Sequence, residues 1–193
     1  MNAYILAGGK GKRINFCKSF IKIKDRFLID IIIENLSLYF DKDIYIVIKK
    51  DQQEDFKRYK NLIIEEIKIS SSIIGIYTAL MHTDKEWNFI IGTDMPGLNI
   101  ELIKGMCTYR KHVDIIVPVV RGYPEPLFAL YNRNILPHLK KQISEGEYKI
   151  QNLYKKVRTL YLKEEIIRKY DPELKSFINI NTWEDYRRAI SLL

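Results

Sequence analysis

Cysteine is almost missing from this sequence: Cys17 and Cys107 are the only two, and no Cys-x-x-Cys occurs. That excludes a disulfide framework and a cysteine zinc site, and it fits a reducing compartment, the cytoplasm. Histidine is nearly as scarce. His82, His112 and His138 stand apart with no paired spacing, so each reads as an ordinary surface or core-edge residue. No apolar run approaches the roughly 20 residues that span a bilayer. No signal peptide is expected, because glycines break the first apolar run and charge begins at Lys10. Repeats, low-complexity stretches and linkers are lacking too. The 193 residues therefore suit one domain, 1–193, with a sizeable core.

What is present is positive charge, with a net +8. A basic surface favours anionic partners. The cations are spread along the chain with acids among them, as in Lys49–Lys60 and Arg158–Lys169. No basic run with interleaved aromatics stands out, so nucleic acid is not expected as a partner, and neither is a membrane.

Periodicity predicts alternating strands and helices. Ala3–Leu6, Asp43–Ile48, Leu62–Ile64, Trp87–Gly92 and Asp114–Val120 read as strands, with Pro118 arguing for an edge or bulge. Leu28–Phe40 reads as a helix with a wide apolar face. Asp51–Lys60 reads as a polar surface helix, and Ile73–His82 as a helix capped by Ser70–Ser72. Asn99 is expected to cap a helix reaching about His112. After Val120 a turn leads into a strand, Leu127–Tyr131, expected as an antiparallel excursion. A helix broken by Pro137 follows, then Gly146–Lys156 as helix and Arg158–Leu162 as strand. Ser19–Ile23 and Ser176–Ile180 read as short extended pieces. Thr182–Asp185 reads as a capping box opening the last helix. The expected fold is α/β: one three-layer α/β/α Rossmann-like domain with a mostly parallel sheet.

The chemistry concentrates first at Tyr4-Ile-Leu-Ala-Gly-Gly-Lys-Gly-Lys-Arg13, continued to Lys18. A short apolar strand runs into Gly8, Gly9 and Gly11, where backbone N–H groups can turn towards an anion. Lys10, Lys12, Arg13 and Lys18 add charge for a polyphosphate. This is not the dinucleotide fingerprint, because Ile14 stands where the third glycine belongs. It is not a P-loop either, since Arg13 breaks that spacing. In open parallel sheets, ligands bind beyond the carboxyl ends of the strands. That rule adds Lys49-Lys50, Glu65-Glu66 with Ser70–Ser72, and Asp94. A carboxylate directly after a buried strand and facing a phosphate loop is placed to hold Mg²⁺. Gly75, near a helix start, lets something approach closely. Asn179 and Asn181 share a face by alternation; their amides either satisfy local backbone or meet a ligand.

Leu6-Ala-Gly-Gly with Arg13 and Lys18 resembles the nucleotidyltransferase signature, and most closely that of the molybdenum cofactor guanylyltransferases. The sequence departs from that family at Ile14-Asn15, where it has Met-Gly, and at Cys17, where it has Asp. Thr93-Asp94-Met-Pro96 resembles the family's magnesium motif. Ser71–Gly75 is similar in position to its glycine-ended segment before the third helix, and Glu65 falls at its acidic residue, with Glu66 the alternative. Pro126–Arg133 resembles its Pro-Leu-Phe-Ala-Leu segment, with Glu125 in place of a common His. Phe177–Asp185 resembles Phe-x-Asn-Ile-Asn-Thr-Pro-Glu-Asp.

The resemblance implies transfer of GMP from GTP to the phosphate of molybdopterin or its molybdenum form, releasing pyrophosphate. It implies Gly8, Gly9 and Gly11 as phosphate cradle, Arg13 on the β- and γ-phosphates, Lys18 near the reacting phosphate and Asp94 on magnesium. Leu6, Ala7, Gly8, Glu65 and Gly75 would border the guanine nucleotide, and Asn179 and Asn181 the pterin pocket. Cofactor-accepting enzymes or their chaperones stand as candidate protein partners. Two rivals remain open: another magnesium-dependent nucleotidyltransferase, using CTP or a sugar phosphate, and a non-catalytic nucleotide-binding adaptor. Sugar-nucleotide enzymes carry Gly-Thr-Arg where this chain has Gly11-Lys12-Arg13.

Overall fold

Side chains alternate along the first strand, β1 (Asn2–Leu6), in the computed structural model, which describes residues 1–8 and 18–192. Ala3 and Ile5 enter one core cluster and Tyr4 the other. A period-two strand buried on both faces must be sandwiched, and the following elements supply both layers. A small antiparallel hairpin, β2 (Lys22–Ile23) with β3 (Arg26–Phe27), leads into helix α1 (Leu28–Phe40). Then come β4 (Ile44–Lys49), the short α2 (Gln53–Phe56), β5 (Leu62–Glu65), α3 (Ser72–Met81) and β6 (Trp87–Gly92). After α4 (Ile100–Cys107), strands β7 (Ile115–Val120), β8 (Tyr123–Pro124) and β9 (Phe128–Asn132) run as hairpins. Helices α5 (Leu136–Ser144) and α6 (Ile150–Tyr154), strand β10 (Thr159–Leu162), α7 (Glu164–Ile167) and α8 (Trp183–Leu192) complete the chain.

The main sheet has the order β10-β7-β9-β6-β1-β4-β5, with β8 beside β7. β1 pairs in parallel with β4 and β6, β4 with β5, and β7 with β10. β9 is antiparallel to both β6 and β7, as expected of the excursion. Ile32 and Leu36 of α1, Leu102 and Met106 of α4, and Ile167 of α7 cover one face. Ile73, Ile76 and Leu80 of α3, Leu139 of α5 and Leu153 of α6 cover the other. Each such side chain contributes on the order of 1.5–3 kcal/mol when removed from water. A third, smaller cluster ties Ile178, Ile180 and Ala189 near the C-terminus to Ile23, Leu28 and Ile31. Among the described residues, no helix is long and apolar enough to cross a membrane.

Several expectations need correction. The polar helix at 51–60 is only a 3-10 turn, Lys50–Gln52, followed by α2, because Gln52 and Phe56 are drawn into the interior. Ser71 precedes α3 without a side-chain cap; its hydroxyl donates to the Tyr148 carbonyl instead, at 2.9 Å. Helix α4 stops at Cys107, and His112 has φ 63°, which a helix cannot hold. Pro118 lies on an interior strand. It is tolerated there because β9 pairs with β7 only at Ile115 and Ile116, and β8 takes over at Val119. Pro137 sits in the first turn of α5, where its missing N–H costs nothing, so it opens that helix rather than breaking it. Residues 176–180 end a 3-10 turn and run on outside the sheet.

At the rim where β7 and β10 begin, Arg158 Nε and Nη2 donate to Asp114 Oδ2 and Oδ1 at 2.9 and 2.7 Å. Asn134 Nδ2 donates to Oδ1 at 2.7 Å. The Arg158 guanidinium holds the Asp114 carboxyl well below the usual range, against the opposing effect of its burial.

Candidate functional site

The carboxyl ends of β1, β4, β5 and β6 form one rim because those strands are parallel. β7 ends at the same rim, since it is antiparallel to β9 and β9 to β6. Three arrangements lie along it.

At the first, the Glu65 carboxylate lies at the end of β5 between two glycines. A Cβ built on Gly8 would stand 3.4 Å from Glu65 Oε1. One built on Gly75 would stand 3.1 Å from the same atom and 2.8 Å from Leu6 Cδ1. The close approach Gly75 allows is therefore that of Leu6 and Glu65, so α3 can press against the end of β1. Burial raises the Glu65 carboxyl above its ordinary range, and the positive charge of Lys49 opposes this. Lys49 Nζ itself donates to Ser70 Oγ at 2.8 Å. Glu66 is exposed and Glu65 half-buried, so of the two it is Glu65 that is built into the rim. Ala7 is turned inward. Its side chain is in the core, its N–H donates to Val47 O at 2.8 Å, and its carbonyl accepts from Gln52 at 3.3 Å.

In the middle stands Asp94, just past β6. Lys18 Nζ is 3.1 Å from Asp94 Oδ2, and their side chains are only 17% and 24% exposed. The same ammonium donates to Asn181 Oδ1. A backbone bond from Ile180 N to Asp94 O, at 2.9 Å, fixes the C-terminal segment against β6. Asp94 folds back over its own strand: a Cβ on Gly92 would lie 2.8 Å from Asp94 Oδ1. An ammonium has three N–H donors. Asp94 and Asn181 take two, which leaves one for a third anionic or carbonyl oxygen.

The third arrangement is a cavity of about 450 Å³ beside Asn181, bordered by Arg121, Tyr123, Glu125, Phe177 and Asn179. Burial and the neighbouring Asp94 charge push the Glu125 carboxyl up to about 7, and Arg121 pulls the other way. Asp185 also borders this cavity, but its carboxylate caps α8, accepting from Asn181 N and Thr182 N at 3.0 and 2.8 Å. With Asp185 N donating to Thr182 Oγ1 at 3.1 Å, this is the expected capping box.

Of the residues singled out from sequence, Leu6, Gly8, Glu65 and Gly75 come together at one end of the rim. Lys18, Asp94 and Asn181 meet in the middle, and Asn179 borders the cavity. Gly9, Gly11 and Arg13 lie outside the described residues. Sequence reasoning passed over Arg121, Tyr123 and Glu125 as site residues. The signal was available: they directly follow β7, and the strand-end rule applies to them as it does to Asp94.

A mostly parallel sheet with glycines and a carboxylate–ammonium pair at its carboxyl rim is the architecture expected of the nucleotidyltransferase class of α/β proteins. Residues 3–160 match the family model described as the MobA-like NTP transferase domain, and the chain belongs to that family. A relative from Natranaerobius thermophilus, named "Probable molybdenum cofactor guanylyltransferase", is 38% identical over 98% of this chain and 94% of its own. A molybdenum cofactor guanylyltransferase of Desulfosudis oleivorans is 30% identical over 96% and 92%. The crystal structure of molybdopterin-guanine dinucleotide biosynthesis protein A from Archaeoglobus fulgidus superposes with a TM-score of 0.87 at 30% identity. It covers 100% of this chain and 98% of that one.

Proposed function

We propose that this chain is a GTP-dependent guanylyltransferase that makes the guanine dinucleotide form of the molybdenum cofactor. The observation that carries this reading is the meeting of Lys18, Asp94 and Asn181 at the carboxyl rim of the sheet. On one side lies the half-buried Glu65 carboxylate among glycines and on the other a polar cavity. Two substrates on either side of a charged centre is the arrangement a group transfer needs. The named relatives supply the chemistry.

A phosphate oxygen of molybdopterin forms the new bond to the α-phosphorus of GTP. The bond from that phosphorus to the bridging oxygen breaks, and pyrophosphate leaves with the electron pair. The nucleophile is already an anion, so the protein's task is to offset repulsion and hold the two phosphates in line. Lys18 uses its remaining donor to neutralise the reacting phosphate. Gly8, with Gly9 and Gly11, cradles the triphosphate, and Arg13 grips its β- and γ-phosphates. Glu65 accepts from the N–H edge of guanine, and Gly75 keeps Leu6 and Glu65 together beneath the base. Asn179 and Asn181 border the pterin.

Asp94 fits magnesium. It is a partly buried carboxylate at a strand end, beside a site for phosphates, and magnesium takes one or two carboxylates plus phosphate oxygens and water. When bound, the ion supplies charge neutralisation at the phosphates. The whole chain, 1–193, acts as one nucleotidyltransferase domain. It works in the cytoplasm, where a free thiol such as that of Cys107 persists. Enzymes that receive the cofactor, or their chaperones, are the protein partners this reading allows.

The test is release of pyrophosphate on adding molybdopterin and magnesium with GTP, CTP or UTP in turn. Release with GTP alone is expected. Equal release with CTP would replace the guanine reading, and no release with any nucleotide would leave a binding protein.

A further inference from the structure

The rim carries two half-buried carboxylates, Glu65 and Glu125, one on each side of the Lys18–Asp94–Asn181 centre. Among the described residues neither carboxylate receives a hydrogen bond; Glu65 faces the charge of Lys49, and Glu125 faces the like charge of Asp94 and the opposite charge of Arg121. A carboxylate that is half removed from water and left without donors is costly unless a ligand supplies them. Glu125 is fixed in place. Its N–H donates to the Pro118 carbonyl at 2.8 Å, its carbonyl accepts from Phe128 N at 3.2 Å, and β8 and β9 enclose it. It opens on the cavity that also holds Asn179 and the exposed ring of Tyr123.

The two substrates of the proposed reaction share one chemical feature. Guanine and a pterin both present an exocyclic amine beside a ring N–H on an amino-oxo pyrimidine edge. Two parallel N–H donors at that spacing match the two oxygens of a carboxylate, as a guanidinium does. We propose that Glu125 is a specificity residue for the acceptor: its carboxylate accepts the paired N–H donors of the pterin, as Glu65 does for guanine. This rests on the reading of the chain as a guanylyltransferase to a pterin acceptor. The site is thus built twice from one recognition element, with the phosphates meeting between.

Fluorescence titration tests this with pterin and with lumazine, the analogue whose exocyclic amine is replaced by oxygen. The wild-type chain is expected to favour pterin by about tenfold or more, the scale expected when a paired hydrogen bond is lost. Glu125→Gln is expected to abolish that preference and raise the acceptor KM, with GTP affinity and melting temperature unchanged. Glu125→Asp, which withdraws the carboxylate by one methylene, is expected to weaken pterin while keeping some preference. A wild-type chain that binds pterin and lumazine alike, or a Glu125→Gln chain that keeps the preference, overturns the proposal. Loss of magnesium–GTP binding in Glu125→Gln overturns it too, by assigning Glu125 to the nucleotide. The guanylyltransferase reading is scored separately, by pyrophosphate release from the wild-type chain with GTP and molybdopterin.

Discussion

Lys18 and Asp94 are 76 positions apart in the chain, yet an ammonium hydrogen of one points at the carboxylate of the other across 3.1 Å. The pair brings Lys18 to the end of β6. Unit charges at about 4 Å attract by roughly 1 kcal/mol in water and about 4 kcal/mol at the effective dielectric of a protein surface. That attraction holds the centre closed before any substrate arrives.

Removing the carboxylate tests the centre directly. Asp94→Asn keeps the shape and the backbone bond from Ile180, so the chain should fold. Pyrophosphate release should fall by about 10²-fold or more, the scale of losing a preorganised charge at a reacting phosphate. Stopped assays at saturating GTP and magnesium measure this; turnover within a few-fold of wild type would remove Asp94 from the chemistry.

Glu65 should distinguish purines by their exocyclic amine. Wild type is expected to bind GTP at least about tenfold better than ITP, which lacks that amine. Glu65→Gln should narrow the ratio to near unity. Calorimetric titration of both nucleotides gives the comparison, and an undiminished preference in the variant would assign base reading elsewhere.

Gly75→Ala would drive a methyl group to 2.8 Å from Leu6 Cδ1 and 3.1 Å from Glu65 Oε1. Overpacking of this kind costs about 1–3 kcal/mol. Because Leu6 must swing aside, GTP affinity should drop together with the urea midpoint. A variant as stable as wild type, with full affinity, would show that the contact is slack.

Stability should depend on pH through Asp114. Its folded carboxyl is held below its unfolded value, chiefly by Arg158, so its contribution is complete above the unfolded pKa of about 4 and fades as pH falls through the folded value. Asp114→Asn should therefore have a lower urea midpoint than wild type at neutral pH. The gap should close as pH drops below about 4. Arg158 is 64% exposed at its side chain, so solvent screens part of the effect. A gap that stays constant from neutral to acid pH would contradict the assignment.

Much of the architecture was legible because its signals are local. Leu28–Phe40 and Trp87–Gly92 coincide with their expected bounds, the first through its wide apolar face and the second through an unbroken buried run. The antiparallel excursion also followed from the turn at Arg121-Gly122. Misreadings came where tertiary contacts override local preference. Gln52 bonds back to Ala7 and shortens a helix that composition alone would extend. Pro118 argued for an edge or bulge and Pro137 for a broken helix, whereas hairpin geometry and a first helical turn each absorb the missing donor. At the site, Asp94 was legible because it follows a strand directly. Glu125 was harder to find because its neighbours arrive from the segments at residues 121–123 and 177–181.

The backbone bond between Ile180 and Asp94 also bears on biosynthesis. On the ribosome, Lys18 and Asp94 emerge well before Asn181 and the strap that braces Asp94. A nascent chain halted after Leu162 would hold both early residues and still lack the clasp that joins them. The Lys18–Asp94 pair is therefore braced only once residues 180 and 181 have been made, and a product interrupted before them lacks that brace.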